Sequence, residues 1–157
     1  MLAANFNSGP YRVVLILHIL SAVVGFGGLF LDGLRARRAL ALGGPEGAAV
    51  LREQQFISNR VAEMGVYGTV VFGVVAIMLD DRWEFSQGWV SMAFVLYVAA
   101  VGLQHAIIRP TTAALGDALG AGATEAGAVE QKLMRFSAVS NLLVTLAIIV
   151  MVWKPGL

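Results

Sequence analysis

Two histidines and one carboxylate stand in or at the edge of long apolar stretches of this chain: His18, His105 and Glu63. An ionisable side chain within a membrane-length apolar run is costly to keep there, which makes it a functional candidate by default. His18 shares a helical face with Ala22 and Gly25, at i, i+4 and i+7, so it points toward neighbouring helices. A buried imidazole of this kind either ligates a metal or haem iron, or is a neutral, hydrogen-bonded structural histidine. The same two readings apply to His105, one turn before Arg109 and close to the end of its run. Ligation of one haem b by both histidines meets a geometric objection. With the first helix starting at Tyr11 and the third at Trp89, His18 lies seven residues in and His105 sixteen. Nine residues of helix is about 13 Å of depth, and two axial ligands of one haem need nearly equal depth. At the depth of His105 the alternative partner is Met64, whereas no methionine matches His18.

A second constellation collects Arg60, Glu63, Gln104, His105, Arg109, Ser137, Ser140 and Asn141 near one end of three helices. Such a set suits a lipid headgroup or small anion, or a proton relay. It equally suits an ordinary polar collar in which Arg60 and Glu63 pair at i, i+3. Met78, Met92 and Met151 fall near the opposite ends of three helices and offer thioethers to Cu(I), although methionine more often fills gaps. The chain has no cysteine, which excludes disulfides, iron–sulfur ligation and thiolate zinc sites. Gly25-Phe26-Gly27-Gly28 lies inside an apolar helix without the strand or lysine a phosphate loop needs, and no catalytic triad or His-Glu-x-x-His is present.

The elements that must position these residues follow from composition. In 157 residues, 58% hydrophobic content exceeds what a domain of this size hides in a core, so the excess faces lipid. With 13% charged residues and a net charge of +1, nucleic acid is not an expected partner. Val13 to Leu31 is 19 residues without a formal charge, matched to a hydrocarbon core of about 30 Å and followed by Arg35, Arg37 and Arg38. That retention signal argues against a cleaved leader. Met64 to Leu79, Phe85 to Ile108 and Phe136 to Trp153 are the other runs, the third ending at Arg109-Pro110 and the fourth at Lys154-Pro155. Transmembrane helices are expected at about 11–31, 61–79, 88–108 and 136–153.

The stretches between runs alternate in charge. Residues 32–60 and 109–135 together hold eight basic residues, against Arg12, Arg82 and Lys154 on the other side. This bias predicts both stretches in the cytoplasm and both termini outside. Tyr11, Trp83, Trp89 and Trp153 all fall at the outer ends, as an interfacial aromatic belt would. Leu34 to Leu42 and Ala48 to Ile57 flank Gly43-Gly44-Pro45, which predicts a helical hairpin projecting inward. In 109–135, Ala113 to Leu119 reads as helix, Gly120 to Gly122 as a turn and Thr124 as an N-cap. Ser58-Asn59 and Ser140-Asn141 hint at duplicated halves. Small residues at helical spacing predict close packing in lipid: Ser21, Gly25 and Gly28; Gly65, Thr69 and Gly73; Gly102 and Ala106; Ser137, Asn141 and Thr145.

Leu17-His18-Ile19-Leu20-Ser21-Ala22, then Gly27-Gly28-Leu29-Phe30 and an arginine-rich segment, resembles the first helix of a bacterial group of four-helix membrane proteins. One is an uncharacterised family of predicted integral membrane proteins of about this length, which the chain also resembles at Phe85-Ser86-Gln87-Gly88-Trp89-Val90. More distantly it is similar to the membrane domain of copper-resistance D-type proteins and to HemJ-type protoporphyrinogen oxidases. The latter resemblance implies haem b and a functional helix-one histidine, matched by His18. The lysine those enzymes carry in a later helix has no counterpart, since Lys132 and Lys154 lie outside the apolar runs.

The fold class is therefore all-α: a single membrane domain over 1–157, a four-helix bundle with helices projecting into the cytoplasm and N-out/C-out. The expected function is a non-catalytic component of the bacterial inner membrane, an accessory subunit or a small-molecule or lipid-binding protein. A haem b redox protein and a copper-handling protein are the alternatives. Expected partners are bilayer lipid and either further copies of the chain or a larger membrane complex.

Overall fold

The computed structural model describes residues 9–122 and 126–156. Four rods of 34, 35, 33 and 28 residues form it: Gly9–Leu42, Gly44–Met78, Gly88–Gly120 and Ala126–Trp153, each long and apolar enough to cross a membrane. The first rod comprises α1 (Gly9–Phe30) and α2 (Asp32–Leu42), the second α3 (Gly44–Ile57), a π-helical turn (Ser58–Ala62) and α4 (Glu63–Met78). The third comprises α5 (Gly88–Leu103), a second π turn (Gln104–Ile108) and α6 (Arg109–Gly120), and the fourth is α7 (Ala126–Trp153). At 1.5 Å per residue a 34-residue rod is about 50 Å long, so about 20 Å extends beyond a 30 Å hydrocarbon layer. The apolar runs are thus the lipid-length parts of longer helices that project together at one end, called here the hairpin end.

Each hairpin closes through glycine. Gly43 and Gly44 have φ of 67° and 48°, a left-handed pair that reverses the chain within one residue, and Pro45 stands in the first turn of α3. Gly122, at φ 67°, plays the same part after α6. The expected N-cap Thr124 lies outside the described residues. The expectation that Arg109-Pro110 ends the third helix is corrected, because the rod runs on to Gly120. Proline lacks the N–H of an α-helical bond and its ring collides with the carbonyl four residues back. The wider π turn immediately before it absorbs both defects.

Packing differs between the two ends, for a solvent reason. At the hairpin end all four rods supply an apolar core of Ala36, Ala39, Ala48, Leu51, Ile108, Leu115, Leu119, Ala126 and Leu133. Expulsion of water can drive that association. Toward the termini the perimeter is oily, with Val13, Ile16, Val23, Val71, Val95, Val98, Ile148 and Val152 exposed, and backbones approach closely instead. The chief seam joins α1 to α4. A Cβ on Gly25 would meet the Val66 nitrogen at 2.5 Å, and one on Gly65 would strike the Gly25 backbone. The expected ladder at Gly102 and Ala106 is corrected: both are exposed, and nothing lies within 4 Å of a Cβ at Gly102. The third rod packs instead on Val90, Ala93, Ala100 and Gln104, the face a helix presents every three to four residues.

Candidate functional site

His18 lies on the α1–α4 seam. Its Nδ1 is 2.7 Å from the Thr69 carbonyl oxygen, and because a carbonyl only accepts, Nδ1 carries the proton and donates. Gly73, one turn along, has no side chain where a Cβ would stand 3.0 Å from the imidazole. The Thr69 hydroxyl turns back to the Gly65 carbonyl at 2.8 Å, so the Gly65, Thr69 and Gly73 ladder seats the ring. This arrangement is a helix–helix tie made through Nδ1, and among the described residues Nε2 has no hydrogen-bond partner. His105 belongs to the second π turn, with Nε2 4.0 Å from Glu63. Along α4 the two histidines therefore contact positions six to ten residues apart, about 9 to 15 Å, and do not share a depth.

Three rods meet at a buried carboxylate. Asp32, the first residue of α2, is 2% exposed. The Gln54 amide of α3 donates to one oxygen at 2.6 Å and the Gln104 amide of the second π turn to the other at 3.3 Å. Two small cavities adjoin this triad. One, of about 30 Å³, is walled by Asp32, Gln54, Ser58, Asn59, Gln104 and Arg109. The other, of about 10 Å³, lies between the Phe26, Leu29 and Val66 side and the Glu63, His105 and Arg109 side. Both are bordered by both π turns, through Ser58 of the first and Gln104 of the second. Buried atoms without a hydrogen-bond partner include Gln54 Oε1, Ser58 Oγ, Gln104 Oε1 and Arg109 Nε.

Arg109 joins this interior to a cluster nearer the surface. Its guanidinium reaches Glu63 at 3.3 Å and stands 3.2 Å from His105 Nδ1, while the Tyr67 hydroxyl donates to Glu63 at 3.2 Å. The expected Arg60–Glu63 pair is corrected. Arg60 lies within the first π turn and is exposed, and Glu63, the first residue beyond that turn, faces the third rod and pairs with Arg109. The i, i+3 rule presumes an unbroken α-helix, which the chain does not have there. Asn141 also stands apart from this cluster: its amide donates to the Phe30 carbonyl at 3.2 Å and ties α7 to the end of α1.

Among the methionines, Met64, Met78 and Met92 are 76%, 72% and 49% exposed, and Met151 is half-buried. The first three turn their thioethers to the perimeter. At the terminal end Trp83 donates to the Tyr11 hydroxyl at 3.3 Å, and the Lys154 ammonium lies 3.7 Å from the Trp83 ring centre and 5.4 Å from that of Trp89. Asp80 accepts from the Arg82 guanidinium at 2.9 Å, and this bond holds its carboxyl below the ordinary carboxylate range.

Asp32 and Gln54 escape a reading for motifs, because a carboxylate that ends an apolar run looks like an interfacial boundary. The signal that could have found them is the small-residue face Asp32, Ala36 and Ala39, at i, i+4 and i+7, which marks that side of α2 as buried.

A family model described as "Predicted integral membrane protein (DUF2269)" matches residues 12–155. No curated protein matches, and no solved structure does.

Proposed function

We propose that this chain, which belongs to the DUF2269 family of predicted integral membrane proteins, is a non-catalytic multi-pass component of the bacterial inner membrane, an accessory subunit or a small-molecule or lipid binder. The observation that carries the reading is how the polar side chains are used. Asp32 accepts from Gln54 and from Gln104 across three rods, and Asn141 holds the fourth to the first. These groups fix the helices relative to one another, as suits a membrane part that acts by presenting a rigid surface. The surrounding lipid is its first partner, and further copies or other subunits would dock on the same apolar perimeter. The eight-to-three basic bias and the tryptophans of the terminal end support hairpins in the cytoplasm and termini outside. Because the chain lacks cysteine, Ala41→Cys and Ser86→Cys report sidedness directly with an impermeant maleimide. Ala41 should label only in inverted vesicles and Ser86 only in intact cells.

An absorption spectrum of detergent-purified protein tests the non-catalytic reading. We expect no Soret band, and His18→Ala should fold with a loss of about 1 kcal/mol, the worth of one interhelical hydrogen bond. A Soret band abolished by His18→Ala or His105→Ala would replace this reading with a haem b redox protein. One feature favours that second reading: a histidine whose Nδ1–H is held by a carbonyl is oriented to ligate iron through Nε2. Copper handling has less support, since Met78 and Met92 face outward.

A further inference from the structure

Four buried side-chain atoms without a hydrogen-bond partner gather at one place. Gln54 Oε1, Ser58 Oγ, Gln104 Oε1 and Arg109 Nε belong to residues that wall the cavity of about 30 Å³ beside Asp32. Gln54, Gln104 and Ser58 are 4%, 5% and 8% exposed. Each glutamine gives its amide nitrogen to the Asp32 carboxylate, which leaves its oxygen to accept from elsewhere. Arg109 Nε–H can only donate, and the Ser58 hydroxyl can do either.

An occupant that satisfies this lining must donate twice and accept at least once. A metal cation accepts nothing from Nε–H, and an anion donates nothing to the two amide oxygens. The local charges also suit a neutral guest, because Arg35 and Arg109 both act on Asp32 and Glu63 stands 3.3 Å from Arg109. Water, with two donors and two acceptors, meets the requirement, and about 30 Å³ admits about two molecules. The neighbouring cavity of about 10 Å³, room for about one more, shares Ser58, Gln104 and Arg109 with the first. It reaches Glu63 and His105, whose side chains are 25% and 38% exposed. Asp32 thus stands at the buried end of a polar line and the Glu63–His105 pair at its open end.

We propose that the two cavities hold a hydrogen-bonded file of water joining Asp32 to Glu63 and His105, and that the buried carboxyl takes up and releases its proton along it. The proton comes from solvent at the open end. Each water passes one proton on as it receives another, so the file stays neutral and only Asp32 changes, from carboxylate to carboxylic acid. The charges facing Asp32 are Arg35 on its own helix and Arg109 on the third rod, with Glu63 and His105 behind Arg109. From the second rod come the neutral Gln54, Gln55 and Ser58. On the fourth rod, which packs on α2, Glu130 pairs with Arg37, and Lys132 and Arg135 are exposed. The two arginines favour the carboxylate, while burial at 2% exposure opposes it, since an anion is costly away from water. Uptake of the proton removes the anion that holds Gln54 and Gln104, and so acts where the two hairpins join.

Infrared difference spectra of the full chain in detergent, taken between about pH 4 and pH 9, test the proton site and the file together. The wild type should show a carboxylic-acid C=O band that grows on acidification and is lost in Asp32→Asn, accompanied by water O–H bands that shift in H2¹⁸O. Asp32→Glu, which keeps the acid and displaces the band, covers the case in which Asp32→Asn does not fold. Ser58→Leu places an apolar side chain on the wall the two cavities share, and should slow the deuterium shift of the C=O band by several-fold, whereas Ser58→Ala should not. Absence of any carboxylic-acid band that depends on Asp32 would overturn the proton site. A band without ¹⁸O-sensitive water, or exchange at the wild-type rate in Ser58→Leu, would overturn the file.

Discussion

Substituting alanine at Gly65 should pry α1 from α4. The added methyl would lie 2.7 Å from the Gly25 Cα and 2.8 Å from the Ser21 carbonyl, where ordinary contact begins at 3.4 Å. The helices must therefore part locally by at least 0.7 Å, the difference between 3.4 and 2.7 Å. One turn along, that movement stretches the His18–Thr69 bond from 2.7 Å toward 3.4 Å, beyond the range in which an N–H···O bond is strong. Overpacking of this kind costs about 1–3 kcal/mol, and the lost interhelical bond adds about 1 kcal/mol. Gly102→Ala is the control. It places the same methyl in open space on an exposed helix face and gains only the propensity of alanine over glycine, about 1 kcal/mol. Helix propensity enters both variants and cancels between them, so Gly65→Ala should be less stable than Gly102→Ala by about 2–4 kcal/mol. Reversible unfolding by sodium dodecyl sulfate in mixed micelles, followed by circular dichroism, measures the difference. A gap under about 0.5 kcal/mol would refute the backbone seam and its dependence on glycine.

The two packing regimes predict a second contrast: Leu115→Ala, at a fully buried position of the hairpin-end core, should cost about 2–5 kcal/mol, while Val95→Ala on the exposed perimeter should change the same unfolding midpoint little. Double-mutant analysis of Glu63→Gln and Arg109→Gln should return a coupling of about 0.5–3 kcal/mol, and additive losses would dissolve the pair. Asp80 titrates below its ordinary value because Arg82 favours the anion, so its contribution is fully present above the unfolded-state pKa of about 4 and disappears as pH falls through the depressed folded value. Tryptophan fluorescence of Trp83 and Trp89 should accordingly report a looser terminal end on acidification below about pH 4, and an unchanged acid limb in Asp80→Asn would show the pair to be inert.

What the amino acids disclose and what they conceal divides along physical lines. Hydrocarbon-length runs, the Gly43-Gly44-Pro45 reversal and the Gly65, Thr69 and Gly73 ladder are local or periodic properties, and each corresponds to a feature of the fold. The inward direction of His18 is of the same kind, since helical phase alone turns it to a glycine-lined face. The two π turns have no comparable signature, and their effects account for the misreadings at Arg60 and Pro110. A helix read at 3.6 residues per turn loses phase at each π turn, so pairs counted across it are displaced. Gln54 and Gln104 were beyond reach as partners because they sit 22 and 72 residues from Asp32 in sequence, and only the meeting of three rods joins them. Gly102 illustrates the converse error, a small residue at packing spacing whose neighbour is empty space.

The placement of the polar interior at the foot of the projecting hairpins has a cause in the same contrast of solvents. Within lipid the rods associate mainly as pairs, α1 with α4 and α5 with α7, joined across by contacts such as Phe26 against Tyr97 and the Tyr97 hydroxyl on the Val66 carbonyl. Only beyond the apolar runs, where water drives Leu51, Leu115 and Leu133 together, are all four rods drawn into one core. Asp32, Gln54 and Gln104 stand at the junction of these regimes, deep enough to be shielded from water and close enough to the tight core to be held in register. The level at which Asp32 is held by Gln54 and Gln104 is thus the level at which the two hairpins are joined, so loss of that carboxylate acts on the junction between them.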